Sequence, residues 1–283
     1  MSARIPWETG KLWPRLKAQS EHGLATGDLQ PIETESTRID SGELSFLVRV
    51  LANLSRKEKA LKEQGRTKPA NPFLPYEPNL YVSDITETHL CLLNKFKVVD
   101  HHFLIVTRAF EPQENWLTLA DFKALSLCLC EVDGLAFYNG GRAAGSSQPH
   151  KHLQVVPYTD SLSEFPVERA IASAKEGRSS GLPFSHAIAR RINAKDAQSL
   201  LDRYHQLLAF VGIGGPYQGT QTAPYNFLCT RQWMMIVPRK QEKYADISVN
   251  ALGFAGSLLV RNQEKLEELK SIDPMQLLQQ VGL

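Results

Sequence analysis

Two imidazoles and an amide stand two residues apart near the middle of the chain: His150, His152 and Gln154, within HKHLQVVP. An imidazole nitrogen attacks phosphorus well when a hydrogen bond on its other nitrogen fixes the tautomer, and the phosphoramidate formed is labile enough for two-step transfer. Gln154 offers an N–H to a non-bridging phosphate oxygen, but unlike a third imidazole it cannot serve as a general base. This favours handing a group to another phosphate over handing it to water. Directly before lies Asn139 to Gln148, where Gly140, Gly141 and Gly145 would let backbone N–H groups approach an anion. As metal ligands, His150 and His152 lack a third His or a carboxylate at a supporting distance, so no metal-ligating residue is expected.

These residues need a strand, a glycine-rich loop and a second strand. If His150 to Val156 is a strand, side-chain period two puts His150, His152 and Gln154 on one face and sends Leu153 and Val155 into a core. Upstream, Thr88 to Phe96 and Phe103 to Phe110 read as a hairpin, with His101 and His102 as surface residues of its loop. Thr118 to Val132 reads as a helix: Thr118 and Asp121 suit a capping box, and apolar residues recur at spacings of three and four. The half so far is an antiparallel α+β unit.

The remaining stretches frame it. Trp7 and Trp13 fall in a helical segment, and Ser41 to Leu61 reads as a helix or extended arm. The basic run from Arg56 to Lys68 is read as a solvated face; alternatively one of Arg49, Lys57 or Lys59 reaches a phosphate. Lys68 to Asn79 is proline-rich and should be an extended loop. Residues 161–196 are low in hydrophobicity, which suggests lobes at 1–165 (with the His-x-His-x-Gln strip) and 197–283, joined by a connection at 166–196. Ala197 to Val211 reads as a helix and Tyr225 to Pro238 as a hairpin turning near Arg231-Gln232. Ile247 to Val260 suits a closely packed helix or a turn into one, and two helical runs follow. The His-x-His-x-Gln strip has no second copy.

Composition excludes several classes. The chain has 283 residues, 42% hydrophobic and 22% charged, enough for a sizeable core. Net charge is +2, with 32 Lys and Arg against 30 Asp and Glu, so long nucleic acid is not an expected partner. Apolar runs fall short of a membrane span of roughly 18–20 residues, and MSARIPWETGKLWPRLK lacks the apolar region of a secretory signal. Cys91, Cys128, Cys130 and Cys229 fit neither a zinc knuckle nor a disulfide ladder, so reduced thiols and a cytoplasmic protein are expected. P-loop, dinucleotide-binding and G-x-S-x-G patterns are absent.

The strip resembles the histidine-triad superfamily, in its galactose-1-phosphate uridylyltransferase-like branch with Gln in place of the last His. More closely, the chain is similar to the diadenosine tetraphosphate phosphorylases (ATP adenylyltransferases). The shared segments include Asn71-Pro72-Phe73, Leu93-Asn94-Lys95-Phe96, His101-His102-Phe103-Leu104, Phe137-Tyr138-Asn139-Gly140-Gly141 and Gly145-Ser146-Ser147-Gln148-Pro149-His150. Tyr225-Asn226-Phe227-Leu228, Trp233-Met234, Val237-Pro238-Arg239 and the run from Ser248 to Gly256 continue it. The first 40 residues carry little of it.

The resemblance implies an α+β fold: histidine-triad-like antiparallel sheet with packed helices, in two pseudo-repeated halves. It implies reversible phosphorolysis of diadenosine tetraphosphate to ATP and ADP, with inorganic phosphate as acceptor and Mg²⁺ or another divalent cation bound through the substrate phosphates. His152 would be the nucleophile, forming a covalent adenylyl-histidine, while His150 orients it or binds phosphate and Gln154 holds phosphate oxygens. Asn139, Gly145, Ser146, Ser147 and Gln148 would line the phosphate path, and Asn94 and Lys95 would contact nucleotide. Asn226, Thr230, Met235 and Arg239 are candidates for the distal part of the ligand. Arg239 leads these because a guanidinium matches phosphate geometry, whereas Met235 fits core packing equally well. Dinucleoside polyphosphates, ATP, ADP and phosphate are the implied partners, and a monomer or small homo-oligomer the implied state. A hexose-1-phosphate uridylyltransferase-like enzyme and a non-catalytic nucleotide sensor are the alternatives.

Overall fold

The computed structural model describes residues 7–51, 71, 73–175 and 177–283. The basic run from Arg56 to Lys68, with Lys57 and Lys59, lies outside them, as does Pro72. Helix α1 (Leu12–Thr26) precedes a hairpin of β1 (Thr34–Ser41) and β2 (Leu44–Leu51). Then come β3 (Tyr81–Asp84), β4 (His89–Leu93), β5 (Phe103–Thr107), α2 (Leu119–Glu131), β6 (Gly134–Gly140) and β7 (His152–Pro157). The chain continues through α3 (Val167–Ala172), β8 (Ala187–Arg190), α4 (Ala197–Phe210), β9 (Tyr225–Cys229) and β10 (Trp233–Pro238). It closes with β11 (Lys243–Tyr244), β12 (Ile247–Ser248), α5 (Ala251–Phe254), β13 (Ser257–Val260), α6 (Gln263–Ile272) and α7 (Pro274–Val281). No described helix is long and apolar enough to cross a membrane.

Eight strands form one sheet in the order β3-β4-β5-β7-β6-β9-β10-β8, with every neighbouring pair antiparallel. Strand β6 pairs with β7 on one side and β9 on the other, so both halves of the chain share a continuous sheet. Period-two alternation gives the sheet two apolar faces. Cys91, Phe103, Ile105, Leu153, Val155 and Phe227 pack against one helical layer, to which α1, α2 and α4 contribute Leu16, Phe122 and Leu208. On the opposite face Phe137, Leu228 and Met235 join a core with α3, α5, α6 and α7. That core also takes in a small sheet of order β1-β2-β13, in which β13 runs parallel to β2. Further along the same face Phe73, Leu90, Leu92, Leu104 and Val106 form a separate cluster.

The expected capping box is present. Thr118 N–H donates to Asp121 Oδ2 at 2.7 Å, and the Thr118 side chain caps the third residue of α2, a motif worth about 1 kcal/mol. The hairpins around Arg231-Gln232 and between β4 and β5 also form where expected.

Leu44–Leu51 takes the extended form of the two expected, helix or extended arm, and is a strand because Phe46, Val48 and Val50 alternate into the second core. Two stretches depart from the sequence reading. Within Ile247 to Val260 only Ala251–Phe254 is helical, and its flanks are strands. The segment 166–196, expected as a connection, supplies α3 and β8, the latter pairing with β10 at the sheet edge.

Candidate functional site

His152 opens β7 on the second face, where Val106 and Leu104 pair with His152 and Gln154, and Phe137 pairs with Gln154. The residues thus sit between two apolar clusters. Pairing of β6 with β7 ends at Phe137 and Gln154, and beyond it the buried side chain of Gln113 spans the gap. Its Oε1 accepts from His152 N–H at 2.9 Å, while Nε2 donates to Asn139 O at 3.0 Å and His152 O at 3.2 Å. The β7 backbone is thereby gripped at both the N–H and the C=O of His152.

The His152 ring donates from Nδ1 to His150 O at 2.8 Å. A carbonyl only accepts, so this bond fixes the tautomer and leaves Nε2 its lone pair. Burial to 5% exposure lowers the His152 pKa to about 4, against the opposing pull of that carbonyl. The ring is therefore neutral at pH 7.

His150 is placed otherwise than expected. The strand begins only at His152, and His150 forms an isolated bridge with Pro112. Its Nε2 lies 2.8 Å from Thr107 O and 2.8 Å from Thr107 Oγ1, while Asn71 Nδ2 lies 2.8 Å from Nδ1. Both ring nitrogens are used by protein, so His150 acts on His152 through its own carbonyl. The Phe73 ring packs in a T-shaped arrangement against both imidazoles, with ring centroids 5.5 and 5.3 Å apart. Lys151 points to the other face, fully buried, with Nζ bonded to Asp121 at 2.7 Å and Trp116 O at 2.9 Å. Burial alone would raise the Asp121 pKa, but the His89 hydrogen bond and the Lys151 charge hold it below the usual carboxylate range.

His102, expected at the surface, is 7% exposed and lies in the same site. It shares a face with Leu104 and Val106, an alternation that the sequence already displays. Asn94 Nδ2 lies 3.1 Å from His102 Nδ1, and Gln154 flanks the ring. Burial lowers its pKa to about 4; the Gln154 contact opposes this and nearby His152 reinforces it. Lys95 pairs with Glu77 at 2.6 Å.

The glycine-rich loop is less open to anions than its composition suggests. Gly141 N–H donates to Asn139 O, Gly145 N–H to Arg142 O and Ser146 N–H to Gly141 O, and the Ser146 hydroxyl caps Gln148 O at 2.9 Å. The Ser147 and Gln148 amides at the end of the loop, like those of Arg142 and Ala143 within it, have no such acceptor among the described residues. Gly145 is obligatory: its φ is +90°, and a Cβ there would sit 2.6 Å from Val249 O.

The candidates from the second half are structural. Arg239 is 2% exposed, and its guanidinium donates to Asn226 Oδ1 (2.6 Å), Ala144 O (3.1 Å), Val249 O (2.9 Å) and Gln241 O (2.8 Å), and also to Glu242 O and Val281 O. Asn226 passes this on, donating to Asn139 Oδ1 and Ala144 O, and Asn139 Oδ1 also takes Ala251 N–H. Thr230 closes the β9–β10 turn by accepting from Gln232 and Trp233 N–H, and Met235 is wholly buried in the second core. A guanidinium fitted to carbonyls has no donor left for phosphate, which is why Arg239 is not a ligand contact.

His152, Gln154 and His102 line a cavity of about 1310 Å³, above the roughly 300–1,000 Å³ of sites for drug-sized ligands. Asn94, Lys95, Gly145, Ser147 and Gln148 line it too, whereas His150, Ser146, the four second-half candidates and Asn139, whose Oδ1 is taken by Asn226 and Ala251, do not. The second half contributes instead through Ser248, Asn250 and Ser257, and Arg49 of β2 completes that wall. Ser248 and Asn250 carried no signal apart from the family resemblance of their segment. Among the described residues no group of three or more His, Cys, Asp or Glu side chains is arranged to hold a metal ion.

A neutral imidazole in a large cavity, on an antiparallel α+β sheet, belongs with the nucleotide-handling transferases. The family described as the Ap4A phosphorylase N-terminal domain matches residues 2–173, and that of the ATP adenylyltransferase C-terminal domain matches residues 180–283. The chain belongs to the Ap4A phosphorylase family of enzymes. It is 27% identical over 279 residues to diadenosine 5',5'''-P1,P4-tetraphosphate phosphorylase 2 of Saccharomyces cerevisiae, covering 86% of this chain and 85% of that one. Protein APA1 of the same yeast is 25% identical over 275 residues, covering 86% and 84%. The crystal structure of yeast Ap4A phosphorylase Apa2 superimposes with a TM-score of 0.80 at 25% identity, over 99% of this chain and 96% of that one. Apa2 in complex with Ap4A gives 0.77 at 25% identity, over 99% of both chains.

Proposed function

We propose that this enzyme cleaves diadenosine tetraphosphate by phosphorolysis, yielding ATP and ADP, through an adenylyl group carried on His152. The hydrogen bond from His152 Nδ1 to His150 O carries the reading, because it presents a neutral Nε2 nucleophile. Nε2 attacks the α-phosphorus, the P–O bond to the remaining three phosphates breaks, and ATP leaves with the electron pair. Positive charge on the adenylylated ring is stabilised through the Nδ1–H bond to the His150 carbonyl. An oxygen of inorganic phosphate then attacks the same phosphorus, the P–N bond breaks, and ADP leaves with the imidazole neutral again. Both steps exchange one bond to phosphorus for another, so the sequence runs in either direction.

Gln154, flanked by His102, and the Ser147 and Gln148 amides supply donors for charge on the transferring phosphate. Asn94 and Lys95 border the nucleotide. Asn94 Nδ2 donates to Nδ1 of the neighbouring His102 ring, which leaves the proton on its Nε2, so among the described residues around His152 none offers a free base to water, and this favours phosphate as acceptor. A divalent cation would come bound to the substrate's phosphates as their counter-ion. A reducing, cytoplasmic setting suits four free cysteines, three of them buried.

Incubation with diadenosine tetraphosphate and Mg²⁺, with and without inorganic phosphate, tests the reading. The expected result is turnover to ATP and ADP only with phosphate, and without it one equivalent of ATP with an adenylylated protein. Catalytic formation of ATP and AMP without phosphate would show hydrolysis and overturn it.

A further inference from the structure

We infer that Arg49 is a phosphate-binding residue of the cavity, taking the phosphates beyond the one that His152 attacks. The inference rests on the nucleotidyl-transfer reading above and extends it to the wall formed by β2 and β13. Among the described residues four Lys and Arg side chains line the cavity: Arg49, Lys95, Arg261 and Lys265. Three are matched by carboxylates, Lys95 by Glu77 at 2.6 Å, Arg261 by Asp246 at 3.3 Å and Lys265 by Glu268 at 2.6 Å. Arg49 has no carboxylate partner among the described residues. Its one hydrogen bond there runs from Nη1 to the neutral Ser257 Oγ, at 2.9 Å.

The sequence pattern explains the placement. Alternation along β2 buries Phe46, Val48 and Val50 in the second core and leaves Leu47, Arg49 and Leu51 on the other side, where Arg49 and Leu51 face the cavity. The parallel neighbour β13 sets Ser257 against Leu47 and Leu259 against Arg49, which fixes the root of the side chain. Arg49 is half-buried, and burial pushes its pKa down with no carboxylate opposing the shift. Desolvating an unpaired cation is costly unless an anion arrives to meet it. A guanidinium has five donors, and one is used, so a fork remains for phosphate oxygens. Strand β2 belongs to a different sheet from the one holding His152, and both residues line the same cavity, so a ligand meeting both reaches from one sheet to the other.

Calorimetric titration of the full chain with AMP and with ATP, for wild type, Arg49→Met and Arg49→Lys, tests this. Arg49→Met should lose about tenfold or more of its ATP affinity while AMP affinity stays within about twofold. Arg49→Lys should fall between, since a point charge lacks the fork. An equal loss for AMP and ATP would mean that Arg49 only fastens β2 to β13, or meets the attacked phosphate, and would overturn the inference. Unchanged ATP affinity in Arg49→Met would also overturn it. A wild-type chain that binds neither nucleotide would overturn the nucleotidyl-transfer reading itself, and this inference with it.

Discussion

The reactivity assigned to His152 depends on one backbone oxygen and on dryness. The His150 carbonyl accepts the Nδ1 proton, with N and O 2.8 Å apart, and burial keeps the ring neutral. His152→Ala should therefore abolish both ATP release and the mass increase of an adenylyl adduct, with the fold retained by circular dichroism. The same burial sets a pH limit. A depressed pKa means that the nucleophilic neutral form persists well below the ordinary histidine value of about 6.5 and disappears as pH falls through about 4. Rapid-quench measurement of the first ATP released should thus show no loss attributable to His152 between pH 7 and 5. A fall centred near 6.5 would place the ring in water.

At the scale of elements, the site is held where β6 and β7 part, and Gln113 bridges the opening with three hydrogen bonds. Gln113→Leu would leave the His152 N–H unpartnered in a buried setting and take a bond from the carbonyls of Asn139 and His152. It should cost about 2–4 kcal/mol in urea unfolding and slow single-turnover adenylylation. Gln113→Glu keeps the acceptor for His152 N–H and should recover part of both. Much of this scale was legible in the sequence, because alternation and capping are local. Leu153 and Val155 lie in one core, His152 and Gln154 lie on the opposite face, and Thr118 with Asp121 starts α2. His150 escaped because the residue at which pairing starts depends on Pro112, a distant partner. The glycine loop misled for a related reason: its small residues do free the backbone, but the backbone spends that freedom on its own turn. His102 was discounted by its loop position although its alternation with Leu104 and Val106 was there to read.

Over the whole molecule, Arg239 ties together the glycine-loop turn through Ala144, β9 through Asn226, the approach to α5 through Val249 and the end of α7 through Val281. Arg239→Met should lower stability by about 3–5 kcal/mol, as for other buried charge networks that lose one member, measured by urea unfolding. KM for dinucleotide, normalised to folded enzyme, should change little; a large rise in KM at unchanged stability would restore Arg239 as a ligand contact. Sequence alone cannot separate these roles, since guanidinium suits phosphate and carbonyl alike and only long-range contacts decide which it meets. The joining of β6 to β9 has a different consequence. Residues Ala136 to Gly140 are all buried, and on one side they bond only to Tyr225–Cys229. Until that later segment has been synthesised, the earlier half carries an uncapped, apolar strand margin of the kind that recruits neighbouring chains into aggregates. Expressed alone, residues 1–165 should be insoluble, and a separately supplied 166–283 fragment should rescue them by docking β9 into that margin.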